Sequence, residues 1–299
     1  MIVSLVIRTL NEARYLPELL AGVAAQRLTG FEVEIVVVDS GSADGTLEIA
    51  ERAGCVVTHI RRQEFSFGRS LNIGCATASG DILVLVSGHC VPTDEHWLQC
   101  LCEPIAAGIV AYSYGRQIGG PQSRYSECRI FEKYYPAQTR LPQQGFFCNN
   151  ANAALARAAW QQHRFDEELT GLEDLELAKR LCASGGRVGY VAEACVVHHH
   201  LESWPQVQRR FEREAIALQK IMPQIQVGRR DTVRYIVSSI VHDLRRARAD
   251  DGPARRLNEI VRYRVAQYTG CYHGNHEHRK LSRAEKDRYF FPAQPLEHL

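Results

Sequence analysis

Over the first third of the chain, short blocks made mostly of aliphatic residues alternate with stretches whose apolar residues recur every three or four positions. The blocks are Val3 to Ile7, Glu34 to Val38, Val56 to Ile60 and Ile82 to Val86. Short runs that are apolar on both faces suit strands of a parallel sheet covered on both sides. Between them, Leu16, Leu19, Leu20 and Val23 form the apolar face of a first helix, with Asn11 placed to cap it. A second helix runs through Leu47, Ile49 and Ala50 and stops near Gly54; a third covers Ser66 to Ala78 and ends at Ser79-Gly80. Strands alternating with helices over short loops predict parallel pairing through right-handed crossovers. The last aliphatic block breaks abruptly into Ser87-Gly88-His89-Cys90-Val91-Pro92. In open α/β sheets ligands bind beyond the carboxyl ends of the strands, so Ser87, Gly88 and His89 are expected at a ligand.

Between Cys100 and Gln144 the pattern weakens. Ile109 to Tyr112 reads as a strand, and 116–144, rich in Gly, Pro, Gln, Arg and Tyr, reads as a long functional loop. Order returns at Gly145-Phe146-Phe147-Cys148-Asn149-Asn150-Ala151-Asn152-Ala153. A helix is predicted from Glu173 to Ser184, closed by Gly185-Gly186, followed by short strands at Arg187 to Tyr190 and Cys195 to Val197. From Pro205 onward three amphipathic helical patterns appear, rich in arginine (Arg245, Arg246, Arg248, Arg255 and Arg256). A boundary near Ser203 divides the chain into an α/β domain, 1–203, and a basic helical region, 204–299. A polar aromatic cluster, Tyr268, Tyr272, His273, Asn275, His276 and His278, has no physical account from sequence.

A length of 299 residues and a net charge of +2 suit a globular protein with ample chain for a core. No apolar run approaches the ~20 residues of a membrane span, and the first residues read as a strand rather than a leader. The ten cysteines include no Cys-x-x-Cys pair and several sit in apolar segments, which argues against zinc and disulfide frameworks and fits a reducing cytoplasm. No G-x-G-x-x-G follows the first strand and no P-loop occurs, so the familiar dinucleotide and phosphate motifs are missing. The basic residues lie on amphipathic helices without a recognition motif, which argues against nucleic acid.

Three stretches carry candidate chemistry. Asp39 ends a buried strand and opens a Gly-containing turn, where its carboxylate can meet a nucleobase or ribose or simply cap a helix. Glu173 and Asp174 begin a helix, as macrodipole-favoured acids or as a general base at the cleft rim. His198 and His200 would share one face of an extended strand and could ligate a metal.

Taken together, these segments resemble the family 2 glycosyltransferases of GT-A fold. The resemblance is carried by Val3 to Glu12, by Glu34 to Thr46, by Gly68-Arg69-Ser70-Leu71-Asn72-Ile73-Gly74 leading to Asp81, by Phe165 to Leu181, and by Ala194 to His198. It implies a mostly parallel sheet flanked by helices, here with a C-terminal helical appendage. It also implies an inverting enzyme that moves a sugar from a nucleotide-diphosphate donor to a saccharide or lipid-linked acceptor, in bacterial surface polysaccharide or glycolipid synthesis. Asp174 is then the catalytic base beside Glu173; Thr9, Asn11, Glu12, Asp39, Arg69, Asn72 and Ser87 hold the nucleotide; Asn150 and Asn152 bind sugar or acceptor hydroxyls.

The chain departs from the family where Asp-x-Asp is expected and Ser87-Gly88-His89 stands. Either His89, His198 and His200 bind a divalent ion (Mn²⁺ or Mg²⁺, with imidazole favouring the former), or arginines such as Arg69 neutralise the leaving group without metal. The missing carboxylates also leave open a non-catalytic sugar-nucleotide-binding or scaffold paralogue. The helical region is expected to pack or form a homo-oligomer, or to bring a cytoplasmic enzyme to the inner face of the membrane.

Overall fold

The computed structural model describes residues 1–250 and 256–275. His276, His278 and Arg255 lie outside the described residues. In chain order the elements are β1 Ile2–Thr9, α1 Leu16–Ala24, β2 Glu32–Asp39, α2 Thr46–Arg52, β3 Val56–His59, α3 Phe67–Thr77, β4 Ile82–Ser87, β5 Cys90–Pro92, α4 Trp97–Ala106, β6 Tyr112–Gly119, α5 Tyr125–Tyr134, β7 Asn152–Ala156, α6 Arg157–Gln162, α7 Glu173–Ala183, β8 Val188–His198, α8 Trp204–Ile221, α9 Arg229–Asp250 and α10 Leu257–Gly274. They form two compact units. The first comprises 1–121, 131–168 and 173–200; the second comprises 122–130, 169–172 and 201 onward.

The first unit is built on one eight-stranded sheet of order β3-β2-β1-β4-β7-β6-β8-β5. The aliphatic blocks pair in parallel, β3 with β2, β2 with β1 and β1 with β4. Beyond β4 the sheet becomes mixed: β7 runs antiparallel to β4 and β6, β6 and β8 are parallel, and β5 closes the edge against β8. Alternate residues feed two cores. Val6, Val36, Leu83 and Leu85 pack with Leu71 of α3, Trp160 of α6 and Leu177 of α7. Leu5, Ile7, Val84 and Val86 pack with Leu16 and Leu19 of α1 and Leu98 and Leu101 of α4. The sheet is thus covered on both faces, which is why its central strands read as mostly aliphatic runs. At Gly74 a Cβ would stand 2.3 Å from Val6 Cγ1 and 2.7 Å from Val38 Cγ2, so this residue lets α3 lie directly on the sheet.

Four local expectations need correction. Asn11 caps no helix: it sits at φ 58° in the preceding turn, and α1 starts after Tyr15. The strand expected at Ile109 to Tyr112 is instead β6, which extends to Gly119. Most of the expected 116–144 loop is therefore not a single loop, because α5 also falls within it. The two short strands after Gly186 are one eleven-residue strand, β8, with a register irregularity opposite Gly115 and Gln117. The apolar pattern missed β6 because its buried face carries polar residues with partners. Ser113 Oγ donates to Leu101 O at 2.6 Å and Gln117 Nε2 to Asn149 Oδ1 at 2.9 Å.

The second unit contains three helices of the C-terminal region. In α8 and α10, Val207, Phe211, Tyr263 and Ala266 form an apolar core. Its interior also holds charge: Arg264 Nε lies 2.8 Å from Asp243 Oδ2, with Asp243 fully buried and Ser126 Oγ donating to the same carboxylate. Arg210 bridges Glu127 and Glu202 at 2.8 Å each. Of the polar aromatic cluster, the Tyr268 hydroxyl meets Ser239 and the Tyr272 hydroxyl accepts from Arg229. Among the described residues no helix is long and apolar enough to cross a membrane.

Candidate active site

At the carboxyl ends of the parallel strands, Thr9 is in register with Asp39 and Arg8 with Ser87. Asp39 is almost fully buried, and its acceptor sites are filled locally. Oδ2 accepts from the Gly41 and Ser42 amides at 2.8 and 2.9 Å, and Oδ1 from the Thr9 hydroxyl at 3.1 Å and the Ser42 hydroxyl at 2.5 Å. The carboxylate thereby folds the turn after β2. The neighbouring loop is laced to it: Asn11 N donates to Ser42 Oγ at 2.8 Å, Asn11 Oδ1 accepts from Ala43 N at 2.9 Å, and Glu12 N donates to Thr46 Oγ1 at 2.8 Å. Ser87 ends β4, half-buried, with its amide 3.3 Å from Ala151 O.

Two residues expected at the nucleotide are committed elsewhere. Arg69 Nε lies 2.7 Å from Glu167 Oε2, and its Nη1 donates to Glu64 O at 3.0 Å. Asn72 donates through Nδ2 to Phe165 O and Glu167 Oε1, and its Oδ1 accepts from Trp160 Nε1 and Phe165 N. Together they hold the 165–167 segment on α3. Asn152, expected at a sugar, is fully buried. Its Oδ1 accepts from Trp97 Nε1 at 2.9 Å, and its Nδ2 donates to Arg116 O at 3.0 Å and Ala194 O at 2.8 Å. It satisfies carbonyls freed by the irregular pairing of β6 and β8, and no amide group remains for a ligand.

Glu173 and Asp174 open α7, immediately after Leu172, which takes a left-handed φ of 56°. The Asp174 side chain is buried. Oδ2 accepts from Asn150 N at 2.9 Å and Oδ1 from Leu175 N at 2.7 Å. Burial pushes its carboxyl up from the ordinary 3.8 to about 7, with the neighbouring Glu173 adding to the rise; the two amide donors and Arg8 pull the other way. Arg8, at the end of β1, lies 3.6 Å from Glu173 Oε1 and 5.1 Å above the Phe67 ring. Asn150 accepts from the Tyr112 hydroxyl. Arg8 Nη1 and Asn150 Nδ2 are buried donors that lack a hydrogen-bond partner, an arrangement expected where a ligand oxygen belongs. Arg8 was not anticipated, although a cation directly after a buried aliphatic run was a readable signal.

The histidines alternate along the end of β8 as the strand period requires. His199 turns away and stacks on Tyr15 at 4.3 Å. His198 and His200 turn towards His89, with ring centroids 5.1 and 5.8 Å from it, and the candidate ligand atoms of the three all lie within 4.8 Å of one another. His198 Nδ1 lies 2.7 Å from Gln117 Oε1, and His89 Nδ1 lies 2.7 Å from Glu12 Oε1. An oxygen acceptor on Nδ1 selects the tautomer that presents Nε2 to a metal. Three converging imidazoles, two oriented in this way, fit a divalent transition ion by the chemistry of the donor set.

The profile of the family described as "Glycosyl transferase family 2" matches residues 4–163, more than half of the chain. The chain belongs to glycosyl transferase family 2. Family relatives include the O-antigen chain rhamnosyltransferase RfbN of Salmonella typhimurium, 24% identical over 211 residues, which are 66% of each chain. The match thus spans a little under two thirds of that relative's length. Glycosyltransferase AglE of Haloferax volcanii is 33% identical over 102 residues, 32% of this chain and 33% of that protein. The fold is that of a mannosyltransferase from Pyrobaculum calidifontis solved with GDP-Man and Mn²⁺, with a TM-score of 0.62, 16% identity, and coverage of 98% of this chain and 88% of that one. This family 2 fold is the α/β plan with helices on both faces of the sheet that the aliphatic blocks predict.

Proposed function

We propose that the protein transfers a sugar from a nucleotide-diphosphate donor to a hydroxyl acceptor, with inversion at the anomeric carbon. The observation that carries this reading is Asp174, a buried carboxylate at the start of α7, fixed by two amides and poised to titrate near neutrality. A general base is most effective when its pKa lies near the working pH. Asp174 takes the proton of the acceptor hydroxyl. The acceptor oxygen forms a bond to the anomeric carbon while the bond from that carbon to the diphosphate breaks on the opposite face, and the electron pair leaves with the nucleotide.

Arg8 and Asn150 offer donors that make no hydrogen bond within the protein to oxygens of the bound substrates. Thr9, Asn11 and Asp39 shape the wall that receives the nucleoside. His89, His198 and His200 would hold a divalent ion, and when bound such an ion neutralises charge on the departing diphosphate.

The relatives' names support a setting in surface polysaccharide synthesis. Work at the inner face of the membrane is supported by α9. Val233, Val237 and Val241, at helical spacing, are 62%, 55% and 40% exposed, with Arg230, Arg234 and Arg245 alongside. An anionic bilayer matches this surface in both polarity and charge. Sedimentation with vesicles containing acidic lipid should capture the wild type and lose the Val237→Asp variant; a stable dimer by light scattering with no vesicle binding would assign the face to a second copy.

The test of the reaction is nucleotide release from a panel of nucleotide sugars in the presence of saccharide acceptors. The wild type should turn over at least one donor and Asp174→Asn should bind it while turning it over about 10²–10⁴-fold more slowly. A variant with wild-type turnover removes Asp174 from the chemistry.

A further inference from the structure

The loss of both carboxylates at positions 87 and 89 has a counterpart elsewhere in the fold. Glu12 follows β1, and its backbone is fixed by the bond from its amide to Thr46 Oγ1. From there the side chain reaches across Gly88: a Cβ at 88 would stand 2.9 Å from Glu12 Cγ and 3.2 Å from its Cβ. The glycine between Ser87 and His89 is therefore the space through which an acid from another loop arrives. The carboxylate ends 2.7 Å from His89 Nδ1, and both side chains are more than two thirds buried, at 15% and 28% exposure. An ionised carboxylate only accepts, so His89 donates from Nδ1.

His198 is held by a longer relay with the same outcome. Ala151 N donates to Asn149 Oδ1 at 3.1 Å, which fixes that amide's orientation. Gln117 Nε2 donates to the same oxygen at 2.9 Å, which leaves Gln117 Oε1 to accept from His198 Nδ1 at 2.7 Å. Gln117 is 1% exposed, so the relay is anchored in the sheet. Two imidazoles, His89 in the turn between β4 and β5 and His198 at the end of β8, thus have Nδ1 engaged by built acceptors, one charged and one neutral.

We infer that Glu12 and Gln117 are positioning residues of a histidine-based cation site, and that Glu12 supplies from outside the ligand set the negative charge that Ser87 and His89 do not. This rests on the metal reading given above and adds to it a ligand class. Three neutral imidazoles with one outer carboxylate favour transition ions such as Co²⁺ and Mn²⁺ over Mg²⁺, which prefers oxygen ligands and keeps its water.

The test uses chelator-stripped protein and metal alone, with no substrate. Co²⁺ is titrated and followed by its visible absorption, and Mg²⁺ is added as competitor. The wild type should bind one Co²⁺ that a hundredfold excess of Mg²⁺ does not displace. Glu12→Ala should weaken Co²⁺ about 10–100-fold and shift the absorption bands, the usual scale for losing such an outer partner. Glu12→Gln, which keeps an acceptor for His89 and loses the charge, should fall between them, and Gln117→Ala, which removes the acceptor for His198 Nδ1, should also weaken binding. A purely structural role for Glu12 would not produce this graded order. Wild-type affinity and spectrum in Glu12→Ala, with binding abolished in His89→Ala, overturns the inference and leaves the metal site standing. A wild type that binds no Co²⁺, or that exchanges it readily for Mg²⁺, overturns both the inference and its ligand class.

Discussion

Replacing Asp174 with asparagine removes the charge and leaves one acceptor oxygen for the Asn150 and Leu175 amides. One amide then loses its bond at a cost that does not depend on pH, so the electrostatic effect is read from the pH dependence alone. The wild-type carboxyl titrates at about 7 when folded and at 3.8 in its ordinary state. At ~1.4 kcal/mol per unit, ionising it inside the fold costs about 4 kcal/mol. The sign follows from proton counting. Below pH ~4 both states hold the proton and there is no penalty. Between there and pH ~7 the unfolded chain ionises and the folded one does not, so stability falls as pH rises, and above ~7 the full penalty is present. Asparagine has no such dependence.

Asp174→Asn should therefore gain on the wild type by about 2–3 kcal/mol more at pH 8 than at pH 5, in paired urea unfolding curves. The same substitution should cut turnover by roughly 10²–10⁴-fold, because the base is gone. A variant that gains on the wild type as pH rises while losing activity is the pattern of a charge kept buried for chemistry. A stability difference that is the same at both pH values would refute the reasoning, since Asp174 would then not carry a raised pKa.

Other predictions follow from the same structure. Turnover by the wild type should rise with pH and level off above ~7 as Asp174 loses its proton; a profile flat from pH 5 to 8 contradicts this. Asp243→Ala leaves Arg264 charged and buried, and should destabilise the helical unit by ~3–5 kcal/mol in chemical denaturation; Arg264 and Asp243 are 7% and 0% exposed. Asn152→Ala strands the Trp97 indole N–H and two carbonyls, and should lower stability by roughly 3 kcal/mol or more without a selective effect on donor affinity. A change confined to KM would return Asn152 to the substrate.

What the sequence disclosed, and what it hid, follows from where each residue's partner lies. β1, β2 and β4 were legible because burial on both faces leaves mostly aliphatic residues. The alternation of His198, His199 and His200 was legible because the chain carries the strand period past the end of β8 at His198, where the His199 amide bonds His89 O at 3.1 Å. β6 was hidden because Ser113 and Gln117 face inward and are satisfied by Leu101, Asn149 and His198, contacts that no local pattern encodes. Asn152 looked like a ligand-binding residue because asparagine in a Gly- or Ala-rich segment signals a site or a buried bracket equally well. Asn72, inside α3, was assigned to the nucleotide through the family resemblance, while its partners lie far along the chain. Glu12 stood next to the expected nucleotide turn, yet its carboxylate serves His89, 77 positions away. Arg8 was overlooked as part of a strand, although it is the cation nearest Glu173.

The most direct test of the central claim is the anomeric configuration of the product. Proton NMR of the saccharide formed by the purified protein from an α-linked nucleotide sugar should show a β linkage, formed at least about a hundredfold more slowly by Asp174→Asn. An α linkage would mean retention, and with it a mechanism in which a single displacement assisted by Asp174 has no place.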